Sequence, residues 1–188
     1  QPIPEGWEPL TFIGTAANEL SVSREHGLAV LHVQSLNSAS GVLKRLNNPG
    51  GSPADLQSYP VLVWRWKISR TVGMAIETRE DRNDCAARVR VIFNTVPSSQ
   101  NRDEAVRKLV GFLGVSLPAM EPPGYKIDYI WSARTPKGRI IDYPGGSRHK
   151  MVVLRQGDGA ADRWIWEQRN LIDDFRQCFD GVPPGIVG

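Results

Sequence analysis

Cysteine, histidine and methionine are scarce in this chain, with two, three and three residues among 188. Two cysteines cannot build a dense disulfide scaffold, and Cys85 and Cys178 match neither a C-x-x-C redox motif nor a zinc-finger spacing. His26, His32 and His149 form no His-x-His or His-x-x-x-His pair, so no metal and no cofactor is expected. No apolar run reaches the ~18 residues of a membrane-spanning helix, which argues against a transmembrane segment. Lys and Arg outnumber Asp and Glu by only 23 to 20, the two signs are interspersed, and no run of five or six basic residues occurs. Nucleic acid is therefore not the expected partner. A Gly-x-Ser-x-Gly elbow is also missing, and no Ser-His-Asp set follows from spacing.

What remains is a chain of 20.9 kDa that fits one domain, residues 1–188, able to bury a core without metal. Its 18 glycines and 14 prolines favour turns over long helices. The chain opens on Gln1-Pro2-Ile3-Pro4 without an initiator Met, which fits a processed, exported form whose Gln1 cyclises. For Cys85 and Cys178 two readings stand: a disulfide in an oxidising compartment, or two separate buried thiols.

Four of the six tryptophans form two i, i+2 pairs, Trp64-Arg65-Trp66 and Trp164-Ile165-Trp166. In a strand that spacing puts both rings of a pair on one face. Tyr59 to Ile68 is the clearest strand, with Leu62, Trp64, Trp66 and Ile68 on one face and Val63, Arg65 and Lys67 on the other. The company of Leu62 and Ile68 favours core packing for Trp64 and Trp66 over a sugar platform. Strands are also expected at Gly6 to Phe12, Leu28 to Val33, Gly41 to Leu46, Ala86 to Phe93, Ile127 to Ala133 and Lys150 to Leu154. Asn47-Asn48-Pro49-Gly50-Gly51 reads as a turn and Gly157-Asp158-Gly159 as a loop.

Two short helices interrupt this pattern. One spans Asp103 to Val115, with Asp103 as N-cap and Val106, Leu109, Val110 and Leu113 on one stripe. The other is capped by Asn170, carries Leu171, Ile172, Phe175, Cys178 and Phe179 on its apolar stripe, and ends near Asp180-Gly181. Asp174 falls at the edge of that stripe and needs a basic partner, for which Arg88, Arg148 and Arg169 are the candidates.

The segments Pro4 to Phe12, Ser38 to Gly41, Tyr59 to Lys67, Ala87 to Phe93, Tyr129 to Trp131 and Arg148 to Val153, with Trp166-Glu167, Arg169-Asn170, Asp174-Phe175, Phe179 and Pro183-Pro184, occur in a telling order. Together they resemble a bacterial family, domain of unknown function 3047, over nearly the whole chain. The resemblance implies an exported protein, periplasmic or extracellular, with a jelly-roll β-sandwich like the galactose-binding domains and no established activity. Where the family tends to have Gly-Asp-Asp and an aromatic, this chain has Arg82-Asn83-Asp84-Cys85, which weakens a calcium site in that loop. The family usually continues into a closing strand beyond the position of Gly188, so a shortened chain or a partner-supplied edge is expected.

For ligand binding the candidates are Trp131, Tyr143 and Trp164, read as lying near loops, with Arg148. Asp84, Arg88, Arg148, Arg169 and Asp174 are read as a structural ionic network ahead of an anion clamp. Asp128 and Glu167 are the one carboxylate pair considered for glycoside hydrolysis. The reading is an exported, non-catalytic β-sandwich that binds an envelope glycan or protein. The alternatives are an accessory subunit of a membrane-associated or filamentous assembly, where a partner supplies a strand, and a hydrolase of envelope carbohydrate or esters.

Overall fold

A computed structural model describes residues 3–46, 54–94 and 124–188. The turn expected at 47–51 and the helix expected at 103–115 lie outside them. The described residues are mostly β and divide into two compact units, one within 3–46 and one formed by 54–94 and 124–187.

In the first unit β1 (Glu8–Thr11) pairs antiparallel with β4 (Ser40–Leu43), and β2 (Glu19–Glu25) pairs antiparallel with β3 (Leu28–Gln34). Strand β2 is not foreseen from sequence, because Leu20 and Val22 alternate with Ser and charge and most of its positions face water. It is held by its turn. His26 and Gly27, both at positive φ (51° and 80°), make the two-residue connection whose twist suits a hairpin. Asn18 anchors the preceding segment: its N–H donates to Ser40 Oγ at 2.9 Å, its Nδ2 donates to Ser40 O at 3.0 Å, and Ser38 Oγ donates to its Oδ1 at 2.9 Å.

The second unit is built on a four-stranded sheet in the order β6-β7-β9-β8, comprising Ala87–Asn94, Gly124–Ser132, Gly146–Gln156 and Ile140–Tyr143. The β7–β9 pairing is parallel and the other two are antiparallel. Strand β7 runs Ile-Asp-Tyr-Ile-Trp with every one of those residues fully buried, so both faces of the sheet are covered. One face carries Val89, Val91 and Phe93 of β6 with Ile127, Tyr129 and Trp131 of β7. Against it pack β5 (Val61–Trp66) and β10 (Ile165–Asn170), an antiparallel ribbon, and the helix α1 (Leu171–Phe179). The other face holds Ile130, Met151 and Val153 beside Cys85, Ile141 and Tyr143.

Aromatic contacts join these layers. Trp64 lies 5.3 Å from Tyr129 and Trp66 lies 5.8 Å from Trp131, ring centre to ring centre, and the two indoles meet edge to face at 5.6 Å. Phe175 of α1 meets Phe93 at 4.9 Å and Tyr125 at 5.4 Å. Pairs of this kind stabilise by about 0.5–1.5 kcal/mol each beyond the area they bury. The core reading of Trp64 and Trp66 therefore holds. So does the helix reading: Asn170 Oδ1 accepts from the N–H groups of Ile172 and Asp173, and Asp180 stops the helix at φ 51°. Beyond it, residues 185–187 run along the outer edge of β6, where Asn94 N–H donates to Gly185 O and Val187 N–H to Ile92 O.

Trp131 is not near the surface. It is fully buried in the middle layer, its indole Nε1 donating to Gly157 O at 2.9 Å, because the strand carrying it is covered on both sides. The disulfide reading is also corrected. Both thiols are free, with Cys178 in the core on one side of the four-stranded sheet and Cys85 in the cluster on the other.

At the start of β7 the backbones come close. A Cβ on Gly124 would stand 1.9 Å from the carbonyl oxygen of Phe93, and its φ is +152°. Gly124→Ala is expected to lose roughly 1–3 kcal/mol in a urea melt, through displacement of the β6–β7 pairing. Unchanged stability would mean that the strands do not meet this closely.

Candidate functional site

Directly opposed residues of an antiparallel pair share a face. The β5–β10 register therefore sets Leu62 with Arg169, Trp64 with Glu167 and Trp66 with Ile165 on the inner side. Val61 with Asn170, Val63 with Gln168 and Arg65 with Trp166 fall on the outer side. Trp164, one residue before β10, joins the outer side: the Arg65 guanidinium is 4.4 Å from its ring centre and Lys67 Nζ is 5.0 Å away. Arg65 also lies 5.9 Å from the Trp166 ring. Trp166 is 64 % exposed, Val63 52 % and Val61 46 %. Two tryptophan pairs of equal spacing thus do opposite things, one filling the core and one lining a surface of indoles and cations. Trp166, the most open of the four, is not among the candidates expected from the sequence, although the alternation of β10 predicts its direction.

The inner side of the ribbon is tied by ion pairs. Glu167 accepts from Trp66 Nε1 at 3.1 Å and from Arg155 Nε at 2.6 Å. Asp174 accepts from Tyr129 Oη at 2.5 Å and from Arg169 Nε at 2.9 Å, with Arg169 Nη2 on its other oxygen. Burial and then the Asp174 charge push the Tyr129 hydroxyl far above its usual range, so it stays a donor. Arg169 is the partner foreseen for Asp174 as one of three.

A second polar centre lies on the opposite face of the four-stranded sheet. Asp128, with no exposure, faces its cross-strand neighbour Arg90, whose Nε and Nη2 donate to its two oxygens at 2.6 and 2.8 Å. Arg88 Nη1 is 3.0 Å from Oδ2, and Arg88 Nη2 donates to Asn83 Oδ1 at 2.8 Å. His149 Nε2 stands 3.0 Å from the same carboxylate but off the line of a good hydrogen bond, its ring stacked on Tyr143 at 3.9 Å. Burial by itself raises the Asp128 pKa; the hydrogen bonds and charge of Arg90, the adjacent His149 and the charge of Arg88 outweigh it and hold the carboxyl well below the usual range. Burial, with Arg90 and Lys126 nearby, outweighs Asp128 at His149 and lowers its pKa, so the imidazole is neutral near pH 7.

The expected ionic network is therefore two networks on opposite faces of the sheet. Arg88 belongs with Asp128, and Arg169 with Asp174. Asp84 belongs to neither: it is exposed and, among the described residues, accepts only the Cys85 N–H, at 2.8 Å. The four ligand candidates are not brought together either. Trp131 is in the core, Trp164 on the outer ribbon face, and Tyr143 beside His149. Arg148 is exposed, 5.6 Å from the ring of Tyr125, which packs on the helix side of the sheet.

A family model described as a protein of unknown function, DUF3047, matches residues 5–188. The chain belongs to the DUF3047 family. No curated protein and no solved structure gives a significant match. The DUF3047 assignment agrees with the resemblance read from the ordered motifs and brings no activity with it, so chemistry has to be argued from the residues.

Asp128 and Glu167, the carboxylate pair considered for hydrolysis in this DUF3047 chain, lie on opposite sides of β7, each saturated by arginine. A further buried acid, Glu77, binds Ser132 Oγ and Thr135 Oγ1, while Ser132 Oγ accepts the N–H groups of Arg134 and Thr135. That hydroxyl is buried and engaged in holding a turn. An open groove of about 670 Å³ beside β8 is lined by residues including Thr78, Tyr143, Gly145 and Ser147, with Asp142 its one acid, paired to Lys150. Among the described residues no three His, Cys, Asp or Glu side chains gather as a metal site, and no helix is long and apolar enough to cross a membrane.

The thiols give a direct check of this arrangement. Burial and then the Asp174 charge push Cys178 up to about 12, and burial raises Cys85. Both are expected to resist iodoacetamide at pH 8 until the protein is denatured, and the intact mass is expected to be the same with and without reductant. Loss of two hydrogens without reductant would overturn the assignment of the cysteines to opposite faces.

Proposed function

We propose that this DUF3047 protein is an exported, non-catalytic module of the cell envelope, a jelly-roll sandwich of the galactose-binding-like kind that holds glycan on the outer face of β5–β10. The observation that carries the reading is Trp166, 64 % exposed on an ordered strand beside Arg65 and Trp164. Burying an indole stabilises a protein by roughly 1.5–3 kcal/mol, so one left in water on a regular strand marks a contact surface. Aromatic faces receive the C–H faces of pyranose rings, and Gln168 beside Trp166 supplies amide groups for hydroxyls.

Polysaccharides immobilised on an array test the reading. The protein is expected to be retained by at least one, and Trp166→Ala to weaken that retention by tenfold or more, the effect of removing one central aromatic anchor. Retention that survives Trp166→Ala would move the site elsewhere. Export is tested by fractionating host cells that express the full reading frame, where recovery in the cytosol would remove the envelope part of the proposal. The runner-up ligand is an envelope protein, favoured by the apolar row of Tyr59, Val61 and Val63, which are 80, 46 and 52 % exposed.

A further inference from the structure

The outer face of β5–β10 carries a charge of one sign. Its register positions hold Val61, Val63, Arg65, Trp166, Gln168 and Asn170, and no acid stands among them. Arg65 lies against both indoles, and no ion pair or hydrogen bond engages its guanidinium among the described residues. Four other arginines on the strands of this unit are paired with carboxylates: Arg88 and Arg90 with Asp128, Arg155 with Glu167, Arg169 with Asp174. Arg65 instead stands directly across the strands from the most exposed tryptophan.

We propose that the ligand of this face is an acidic polysaccharide built on uronic acids, a uronate ring stacking on Trp166 while its carboxylate takes the fork of Arg65. The proposal rests on the glycan reading above and names the class of sugar. Its ground is complementarity at one spacing. Opposed side chains on a sheet face are about 5 Å apart, and a uronate carries its carboxylate directly on the ring carbon, so a single sugar residue reaches both groups. Arg recognises a carboxylate through two parallel N–H bonds, which Lys cannot form. A sulfate or phosphate ester stands further from the ring through an added oxygen and fits this spacing less well. Because the site has a flat aromatic floor, an anionic polymer without sugar rings satisfies only half of it.

The test is affinity electrophoresis and calorimetry of the whole chain with polygalacturonate, alginate and hyaluronate, against dextran, dextran sulfate and polyglutamate. At least one uronate polymer is expected to bind tenfold or more tightly than each of the other three. Arg65→Gln and Trp166→Ala are each expected to weaken that binding at least tenfold, and Arg65→Lys to recover only part of the loss. Both side chains lie on the outer face of the ribbon, so the variants are expected to melt like the parent.

Equal binding of dextran, lost in Trp166→Ala and kept in Arg65→Gln, would overturn the uronate class and leave the glycan reading standing. Equal binding of polyglutamate or dextran sulfate would reduce the face to general anion attraction and overturn the proposal. Binding of none of the six polymers would sink both, and concentration-dependent self-association lost in Trp166→Ala would then assign the face to a second copy of the chain.

Discussion

Asp128→Ala is expected to destabilise the second unit by about 3–5 kcal/mol, the largest loss anticipated for any single polar residue here. The reason is what it would leave behind. Arg88 and Arg90, with side chains only 23 and 17 % exposed, would keep their charges in a covered site without the carboxylate on which both converge. Replacing the charged set by apolar groups of similar volume is much less costly than breaking it, so Asp128→Ala combined with Arg88→Met and Arg90→Met is expected to recover a large part of the loss. Urea unfolding followed by tryptophan fluorescence is a suitable measure, since five of the six tryptophans lie in this unit. A loss below 1 kcal/mol for the single variant would show that the site is wet and the ion pairs loose.

The same centre sets an acid limit. Asp128 is depressed in the folded state, so its stabilisation is complete above the unfolded carboxylate value of about 4 and is lost as pH falls toward the lower folded value. His149 is lowered as well, and for a base this means that the unfolded chain binds a proton first. Stability therefore already declines as pH falls through about 6.5, the unfolded imidazole value. Two successive acid losses are expected in the parent, of which Asp128→Asn removes the lower one.

Much of this fold was legible in the chain because its strands alternate cleanly. Leu62 to Ile68 declares an inner and an outer face before any partner is known, and the Asn170 cap, the apolar stripe and Asp174 define α1. Strand β2 escaped because Ser21, Ser23 and Arg24 dilute its apolar period and its hairpin depends on two positive-φ turn residues. The site was less legible. The loop position expected for Trp131 fails because Ile127-Asp128-Tyr129-Ile130-Trp131 is a strand covered on both faces, where alternation carries no information about exposure. Asp128 did leave a signal, a lone charge inside an apolar run, which calls for a buried counter-ion. Which side chains answer it depends on register: the Arg90 guanidinium is directly opposite on β6, and the neutral His149 sits diagonally on the parallel strand β9. Cross-strand register is not written in local composition. The separation of Cys85 from Cys178 has the same origin, since only strand order assigns them to different faces.

Trp131→Ala, with an expected cost of about 3–5 kcal/mol, separates structure from recognition. Its ring is fully buried, lies 5.8 Å from that of Trp66 at a tilt of 56°, and places its N–H on Gly157 O, so truncation opens a large cavity and leaves that carbonyl without its donor. Phe at this position keeps most of the ring and loses the hydrogen bond, and is expected to cost less than Ala. Trp166→Ala is expected to show the reverse pattern, a shift in the urea midpoint within the error of the melt together with the loss of glycan retention. The contrast follows from register alone: both residues sit in strands of the same unit, but one faces the layer between sheet and ribbon and the other faces water. If Trp131→Ala lost retention under conditions where its far-ultraviolet circular dichroism and melt matched the parent, the ligand would have to enter the core. The outer face of the ribbon would then not be the site.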